Sequence, residues 1–231
     1  MLIRKTIVSI ILAFICNTNA QEMSIGLSGN YIPNMEENIS NYNKKHNLFL
    51  FGADFSISPF EGINIQTGLT IQYSKKSLLN FIPETSGNGF GAKRNMELFL
   101  FELPISYKFN INKVVNLNIG AKLGIGYLKI VEKLSFYSNN DGHIISENSI
   151  SHNDYNYYSS PFLESNFMIS DIFIAMLGIE YKLLNYEILY QPEQVNVVDP
   201  DPNVINTNLP VTVYNYNFKD LNFRMGVKYI L

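Results

Sequence analysis

The sequence contains no tryptophan, one cysteine and, after its first twenty residues, no apolar run approaching a membrane helix. Each absence excludes something. Cys16 lies inside residues 1–20, so the chain beyond them can form no disulfide. A membrane helix needs about 20 apolar residues, and only a closed barrel spans a bilayer without one, because it pairs every backbone polar group in lipid. An excess of positive charge is missing too. The first twenty residues hold two of the seventeen Lys and Arg and no acid, leaving fifteen against twenty and a net charge of −5. That balance removes nucleic acid from the expected partners.

What is present at the front is an export pattern. Arg4 and Lys5 precede an apolar run from Ile7 to Ile15, and Thr18-Asn19-Ala20 offers a small residue for cleavage. Residues 1–20 read as a secretory signal peptide. Phe14 and Ile15 stand where a lipoprotein signal carries small residues, which argues against lipidation of Cys16. Residues 21–231 then form one domain beginning at Gln21.

Strict alternation runs through that domain. Phe49, Phe51, Ala53, Phe55 and Ile57 oppose Gly52, Asp54, Ser56 and Ser58; Ile65, Thr67, Leu69, Ile71 and Tyr73 oppose Gln66, Gly68, Thr70 and Gln72. Period two marks strands whose faces meet unlike environments. The same pattern predicts strands over 23–31, 98–109 (blurred by Leu98 and Leu100), 115–127, 173–181, 186–190 and 221–231, a total of eight. Short connections at 59–62, 110–114 and 183–185 alternate with long ones at 32–47, 75–95, 131–170 and 191–220. Residues 161–170 read either as loop or as an extension of the sixth strand.

An even strand count with alternating turns and loops predicts an all-β, eight-stranded antiparallel up-and-down transmembrane β-barrel with short periplasmic turns and long extracellular loops. A soluble lipocalin-like barrel also alternates, but turns its apolar face inward around a ligand. Three features favour the membrane barrel: the loop alternation, a polar face mixing small residues with both charge signs, and the last strand. There Arg224, Gly226, Tyr229 and Leu231 resemble the terminal insertion signal of outer-membrane barrels. Tyr73, Tyr107, Tyr127, Tyr181, Tyr186, Tyr190 and Tyr229 fall near strand ends on the apolar face, where an interfacial aromatic girdle belongs.

The polar face carries the candidate site. Asp54, Glu102, Lys122, Glu180, Glu187, Arg224 and Lys228 are expected to form a charge network in the lumen, with Lys108 on the same face. Glu102 and Lys122 lie at similar heights on adjacent strands and should meet. Mixed charge at one level suits a plug, since a buried charge without its partner is costly. Glu180 and Glu187 flank a predicted tight turn near the periplasmic mouth, and Pro104 calls for a bulge or lumen water to offset its missing donor. His46, His143 and His152 all fall in predicted loops with no nucleophile motif. Asp199-Pro200-Asp201-Pro202-Asn203 spaces oxygen ligands as a weak calcium site would, but reads better as a rigid loop. No catalytic group, metal or cofactor is expected.

The run Phe101-Glu102-Leu103-Pro104-Ile105-Ser106-Tyr107-Lys108-Phe109 resembles a strand of the PorT-like outer-membrane β-barrel family, small porin-like eight-stranded barrels. Gly120-Ala121-Lys122-Leu123-Gly124-Ile125-Gly126-Tyr127 resembles its glycine-rich fifth strand, and 171–181 its sixth. After the seventh strand begins, the family's Arg-Tyr and Gly-Leu are replaced by Leu189-Tyr190 and Pro192-Glu193. The resemblance implies fold and an outer-membrane location in a Gram-negative bacterium, and little about activity. The expected role is non-enzymatic: a structural, adhesion or secretion-accessory component acting through its loops. Outer-membrane lipid, lipopolysaccharide, the barrel-insertion machinery and a secretion or surface protein are the expected partners. A narrow channel or small-solute-binding barrel is the alternative, and a rim-active enzyme comes behind it.

Overall fold

The computed structural model describes residues 22–39, 42–59, 63–81, 89–137, 144–190 and 212–231. The expected signal peptide, His143 and the 199–203 run lie outside them. Ten strands follow in order: β1 (Glu22–Ile39), β2 (Tyr42–Ser58), β3 (Ile65–Phe81), β4 (Gly89–Asn110), β5 (Val115–Tyr137), β6 (Ile144–Met168), β7 (Phe173–Tyr181), β8 (Asn185–Tyr190), β9 (Thr212–Asn217) and β10 (Leu221–Ile230). Consecutive antiparallel pairing runs from β1 to β7, β7 pairs β10, and β10 closes on β1 from Ser24↔Ile230 to Tyr31↔Phe223. The result is a closed eight-strand ring. Closure leaves no unpaired edge around its lower half.

β8 and β9 are not extra wall strands. A bend at 182–184 lets β7 continue upward as β8, and 218–220 joins β9 to β10 in the same way. The bend stays bonded on both sides, Leu183 N donating to Ser159 O at 3.0 Å and Phe218 N to Leu184 O at 2.9 Å. This corrects two sequence expectations. Residues 183–185 are a bend within the wall, not a periplasmic turn. Residues 131–170 are not a loop, because β6 fills most of them; the short turn lies at 169–172. The strand count of eight survives because the two errors cancel.

The long connections expected at 32–47 and 75–95 are also mostly strand. β1 runs to Ile39 before β2 starts at Tyr42, and β3 runs to Phe81 before β4 starts at Gly89. At the turn end the wall is a closed ring. Toward the far end it splits. β2 pairs β3 only from Ile57↔Thr67 to Phe51↔Tyr73, and β6 pairs β7 only as far as Phe162↔Glu180. Above those points two four-stranded sheets continue, β3-β4-β5-β6 and β2-β1-β9-β8. The next residue on β6 is Pro161, whose ring removes the donor on the side facing β7, so the ladder stops there. The other seam is bridged by side chains: Ser74 Oγ donates to Phe49 O at 2.7 Å, and Lys76 donates to Asn47 O.

The apolar face points out. Phe51, Ile71, Phe101, Leu103, Ile125, Leu177, Phe223 and Met225 are exposed, while Asp54, Glu102, Lys122, Glu180 and Arg224 are buried inside. Among the described residues no helix is long and apolar enough to cross a membrane. An outward apolar band around a charged interior is stable only in lipid, so the chain is a transmembrane barrel and not a lipocalin. Tyr73, Phe99, Tyr127 and Tyr155 are successive register partners on β3 to β6. Their rings stack with centroids 4.5, 6.2 and 4.7 Å apart and mark the band's far edge. Tyr186 departs from the predicted girdle: it points inward and is fully buried.

Candidate functional site

The interior is built in tiers. At mid-band, four charges alternate in a ring. Lys122 from β5 contacts Glu102 of β4 at 3.2 Å and also Glu180 of β7. Lys182, one step past β7, contacts Glu102 at 2.6 Å and Glu180 at 2.5 Å. All four side chains are essentially without solvent exposure. Two lysines against two glutamates leave no net charge, which is what makes the burial tolerable. Neighbours complete the shell: Tyr158 Oη donates to Glu102 at 2.6 Å, Gln72 to Glu102 at 3.2 Å, and Asn30 to Glu180. Lys122 lies over the Phe162 ring and Lys182 over the Tyr158 ring, at 5.5 and 5.4 Å.

Toward the turn end lies a second neutral group. Arg224 contacts Asp54 and, at 3.4 Å, Glu164, while Lys228 contacts Glu164 at 2.6 Å. Thr70 donates to Asp54 at 2.7 Å. Lys108 reaches Glu22 at 2.5 Å, nearer the mouth. A cavity of about 30 Å³ touches Asp54, Thr70, Ser106, Asn118, Glu164 and Arg224, and one of about 40 Å³ lies by Glu22, Gln66, Lys108 and Asn166. Each has room for one or a few waters. Pro104 borders the first cavity, where the β3–β4 ladder skips the partners between Thr67↔Ile105 and Thr70↔Glu102. Thr67 Oγ1 donates to the Pro104 carbonyl at 3.0 Å inside that gap.

Beyond the charged ring the interior becomes apolar. Ile32, Leu48, Leu50, Met96, Leu98, Leu100, Leu128, Leu184, Tyr186 and Phe218 pack between the two sheets. Here the glycines of β5 act by leaving room. A Cβ on Gly124 would lie 2.6 Å from the Tyr158 ring, and one on Gly126 would lie 2.0 Å from the Tyr186 hydroxyl. Above this layer Arg94 of β4 bonds Glu37 of β1 and Glu132 of β5, each at 2.8 Å, and stacks on Tyr214 of β9 at 4.7 Å. Burial works against the Arg94 charge, yet Glu132, the Tyr216 and Tyr214 hydroxyls and Glu37 hold its pKa above the ordinary guanidinium value. His46 bonds Glu37 at 2.8 Å. These contacts tie one sheet to the other.

Of the seven expected lumen residues, six take part in these tiers. Glu187 does not. The bend at 182–184 keeps β7 and β8 in one wall, and the alternation then places Glu187 on the exposed outer face. For the same reason Glu180 sits at mid-lumen, far from any periplasmic turn. Sequence reasoning missed Lys182 and Glu164. The first sat beside a supposed turn and the second inside a supposed loop; continuing the even-numbered inward register through 164 and 182 would have found both. Of the terminal residues, Arg224 points into the lumen and Tyr229 packs outside on Phe173 at 5.5 Å. Gly226 lets β1 approach closely, and Leu231 N donates to Met23 O at 2.9 Å. Among the described residues no group of three or more His, Cys, Asp or Glu is arranged to hold a metal.

No protein-family model matches the chain, and no curated protein matches it significantly. Solved structures do. The outer membrane protein OprG from Pseudomonas aeruginosa superposes with a TM-score of 0.50 at 10% identity, over 93% of this chain and 97% of that one. Ail, the attachment invasion locus protein of Yersinia pestis, gives 0.47 at 13% identity, over 91% and 98%. Neisserial surface protein A gives 0.46 at 9%, over 90% and 96%. At these identities the OprG match speaks to fold alone. The fold it gives is a small outer-membrane β-barrel.

Proposed function

We propose that this chain is an integral outer-membrane protein of a Gram-negative bacterium with no catalytic role. Its barrel is a plugged anchor, and its two-sheet extension serves an adhesive, structural or secretion-accessory task outside the cell. The observation that carries the reading is the sealed interior: a neutral ring of four buried charges backed by an apolar layer that bridges both sheets. An eight-stranded barrel leaves an interior just wide enough for side chains, and here they fill it. The work then falls to the extension, where β6 from Ile144 to Tyr158 pairs only β5 among the described residues. An edge of that kind can accept an extended segment of another protein.

Membership of the PorT-like family is part of this reading, supported by the resembling run 101–109, which lies on β4 with Glu102 in the charged ring and Pro104 beside the turn-end cavity. So is the insertion role of Arg224, Gly226, Tyr229 and Leu231, supported by their place on the strand that closes the ring. The narrow-channel alternative draws on the two small polar cavities, but those lie on the turn-end side of the charged ring. Planar-bilayer recording tests the choice. The plugged anchor gives no discrete openings; discrete openings abolished by Lys122→Met would overturn it in favour of a gated path. Fractionation with the soluble periplasmic proteins, without detergent, would overturn the membrane location.

A further inference from the structure

The outer faces of the two far-end sheets differ in charge. On β3 to β6, beyond the aromatic row, the described outward side chains include Lys75, Lys93 and Lys129, with Glu97 between the first and the last of these. On β2, β1, β9 and β8 and the 218–220 bend they include Lys45 and Lys219 against Glu36 and Glu187, which leaves no net charge.

The placement is as informative as the count. Lys75, Glu97 and Lys129 are consecutive register partners and form the outward rung directly beyond Tyr73, Phe99 and Tyr127. Outward rungs are two residues apart, so this one lies about 7 Å further along the strands. Lys93 and Lys133 pair two outward rungs beyond it. Aromatic rings of a girdle sit at headgroup level, so lysines one rung beyond reach the phosphate layer. Lys75 Nζ contacts Glu97 at 2.8 Å, which fixes that carboxylate on the face. The hydrogen bond from Lys75 leads the effects that keep the Glu97 carboxyl below its ordinary pKa; desolvation opposes it, and the charges of Lys75 and Lys129 add to it.

We infer that this face binds the phosphoryl groups of lipid headgroups in the outer leaflet, with Lys75 and Lys129 at the first level and Lys93 above. The inference rests on the membrane-barrel reading. It orients the molecule about the membrane normal, with its cationic sheet held against phosphorylated lipid and its net-neutral sheet left for other contacts. An acidic polypeptide would suit the charge, but it has no reason to prefer the rung beside the girdle.

The test uses the full chain folded in neutral detergent, with the heat-dependent gel shift reporting folding. Binding is measured for phosphorylated lipopolysaccharide, the same glycolipid dephosphorylated, inorganic phosphate and polyglutamate. The phosphorylated glycolipid should bind best and weaken with salt. Lys75→Gln, Lys93→Gln and Lys129→Gln together should weaken it by roughly fivefold per lysine replaced, and Lys45→Gln should leave it unchanged. If the triple variant fails to shift, the single Lys129→Gln and Lys93→Gln variants carry the measurement. Unaltered binding by the variants, equal binding of the dephosphorylated glycolipid, or tighter binding of polyglutamate would overturn the inference. Displacement of the lipid by an equal concentration of inorganic phosphate would overturn the lipid assignment. A wild-type chain that shows no gel shift and stays soluble without detergent refutes the barrel reading instead.

Discussion

Glu102→Gln is the sharpest perturbation of the lumen, because it changes one charge in a closed ring and leaves the shape nearly intact. Glu102 faces Lys122 at 3.2 Å and Lys182 at 2.6 Å. At an effective dielectric near 20, a contact at 3.2 Å carries about 5 kcal/mol of attraction before desolvation. Removing the anion leaves two lysines sharing Glu180 at a site without solvent. Breaking a buried pair costs about 3–5 kcal/mol. The lower end applies, because glutamine can still bond Tyr158 and Glu180 still bridges both cations. Lys122→Met alone strands a glutamate instead and should cost about as much. The double variant leaves Lys182 and Glu180 as a neutral pair at 2.5 Å. Its loss should therefore fall short of the sum by at least about 1.5 kcal/mol, within the range for residues in contact. The four proteins are compared by urea titration in micelles, with the gel shift reporting the folded fraction. Glu187→Gln, on the outer face, serves as a control and should stay within about 0.5 kcal/mol. Additivity within about 0.5 kcal/mol would refute the reasoning, since it would mean that solvent screens the ring.

Three further outcomes follow from the packing. Gly126→Ala drives a methyl group into the Tyr186 hydroxyl and should cost about 1–3 kcal/mol in the same titration; Tyr186→Phe removes the obstructing oxygen and should rescue it. Tyr186→Phe alone should be neutral or mildly stabilising, because that buried hydroxyl has no hydrogen-bond partner among the described residues. Phe223→Arg places a charge in the outward apolar band and should impair insertion by about 2–4 kcal/mol if it lies near the midplane, whereas Phe223→Leu should be tolerated; equal gel shifts for the two would mean that the register is wrong. Arg94→Met leaves Glu37 and Glu132 buried without their shared cation, and should loosen the extension by about 3 kcal/mol, read as faster proteolysis beyond the aromatic row with the gel shift retained.

Fold class was legible because the outward band is written with period two on seven of eight wall strands. β6 was not legible, and its composition explains why. Its outward residues include Ser149, Ser151, Asn153, Ser159 and Ser165, and its inward ones Asn156, Ser160, Glu164 and Asn166, so polarity does not alternate. Pro161 adds a residue that strand interiors disfavour. Its ladder with β5 nevertheless runs from Val115↔Phe167 to Tyr137↔Ile144, and β5 is as regular as any strand in the chain. Strand propensity here is imposed by a neighbour, a tertiary effect that one segment's pattern cannot carry. The lumen network was legible in proportion: charges on recognised strands were found, and Glu164 and Lys182 were lost with the segments that hold them. The bend at 182–184 misled for a different reason. It interrupts the ladder as a turn would, yet reverses nothing.

The apparent blur at Leu98 and Leu100 has a physical meaning that reaches beyond β4. Along that strand the outward residues pass from Ile105, Leu103, Phe101 and Phe99 to Glu97, Asn95 and Lys93, while the inward ones pass from Glu102 to Leu100, Leu98 and Met96. Both faces exchange character within a few residues, with no break in register. Below the crossing the strand obeys the rule for lipid, apolar outside and polar within. Above it the strand obeys the rule for water, and the barrel opens into two sheets closed over an ordinary hydrophobic core. The crossing coincides with the ring row Tyr73, Phe99, Tyr127 and Tyr155, so two independent features mark the same membrane boundary. An extension with its own apolar core is held by more than its attachment to the barrel. It can therefore present a fixed surface well above the bilayer, where an unpaired loop could present only a fluctuating one.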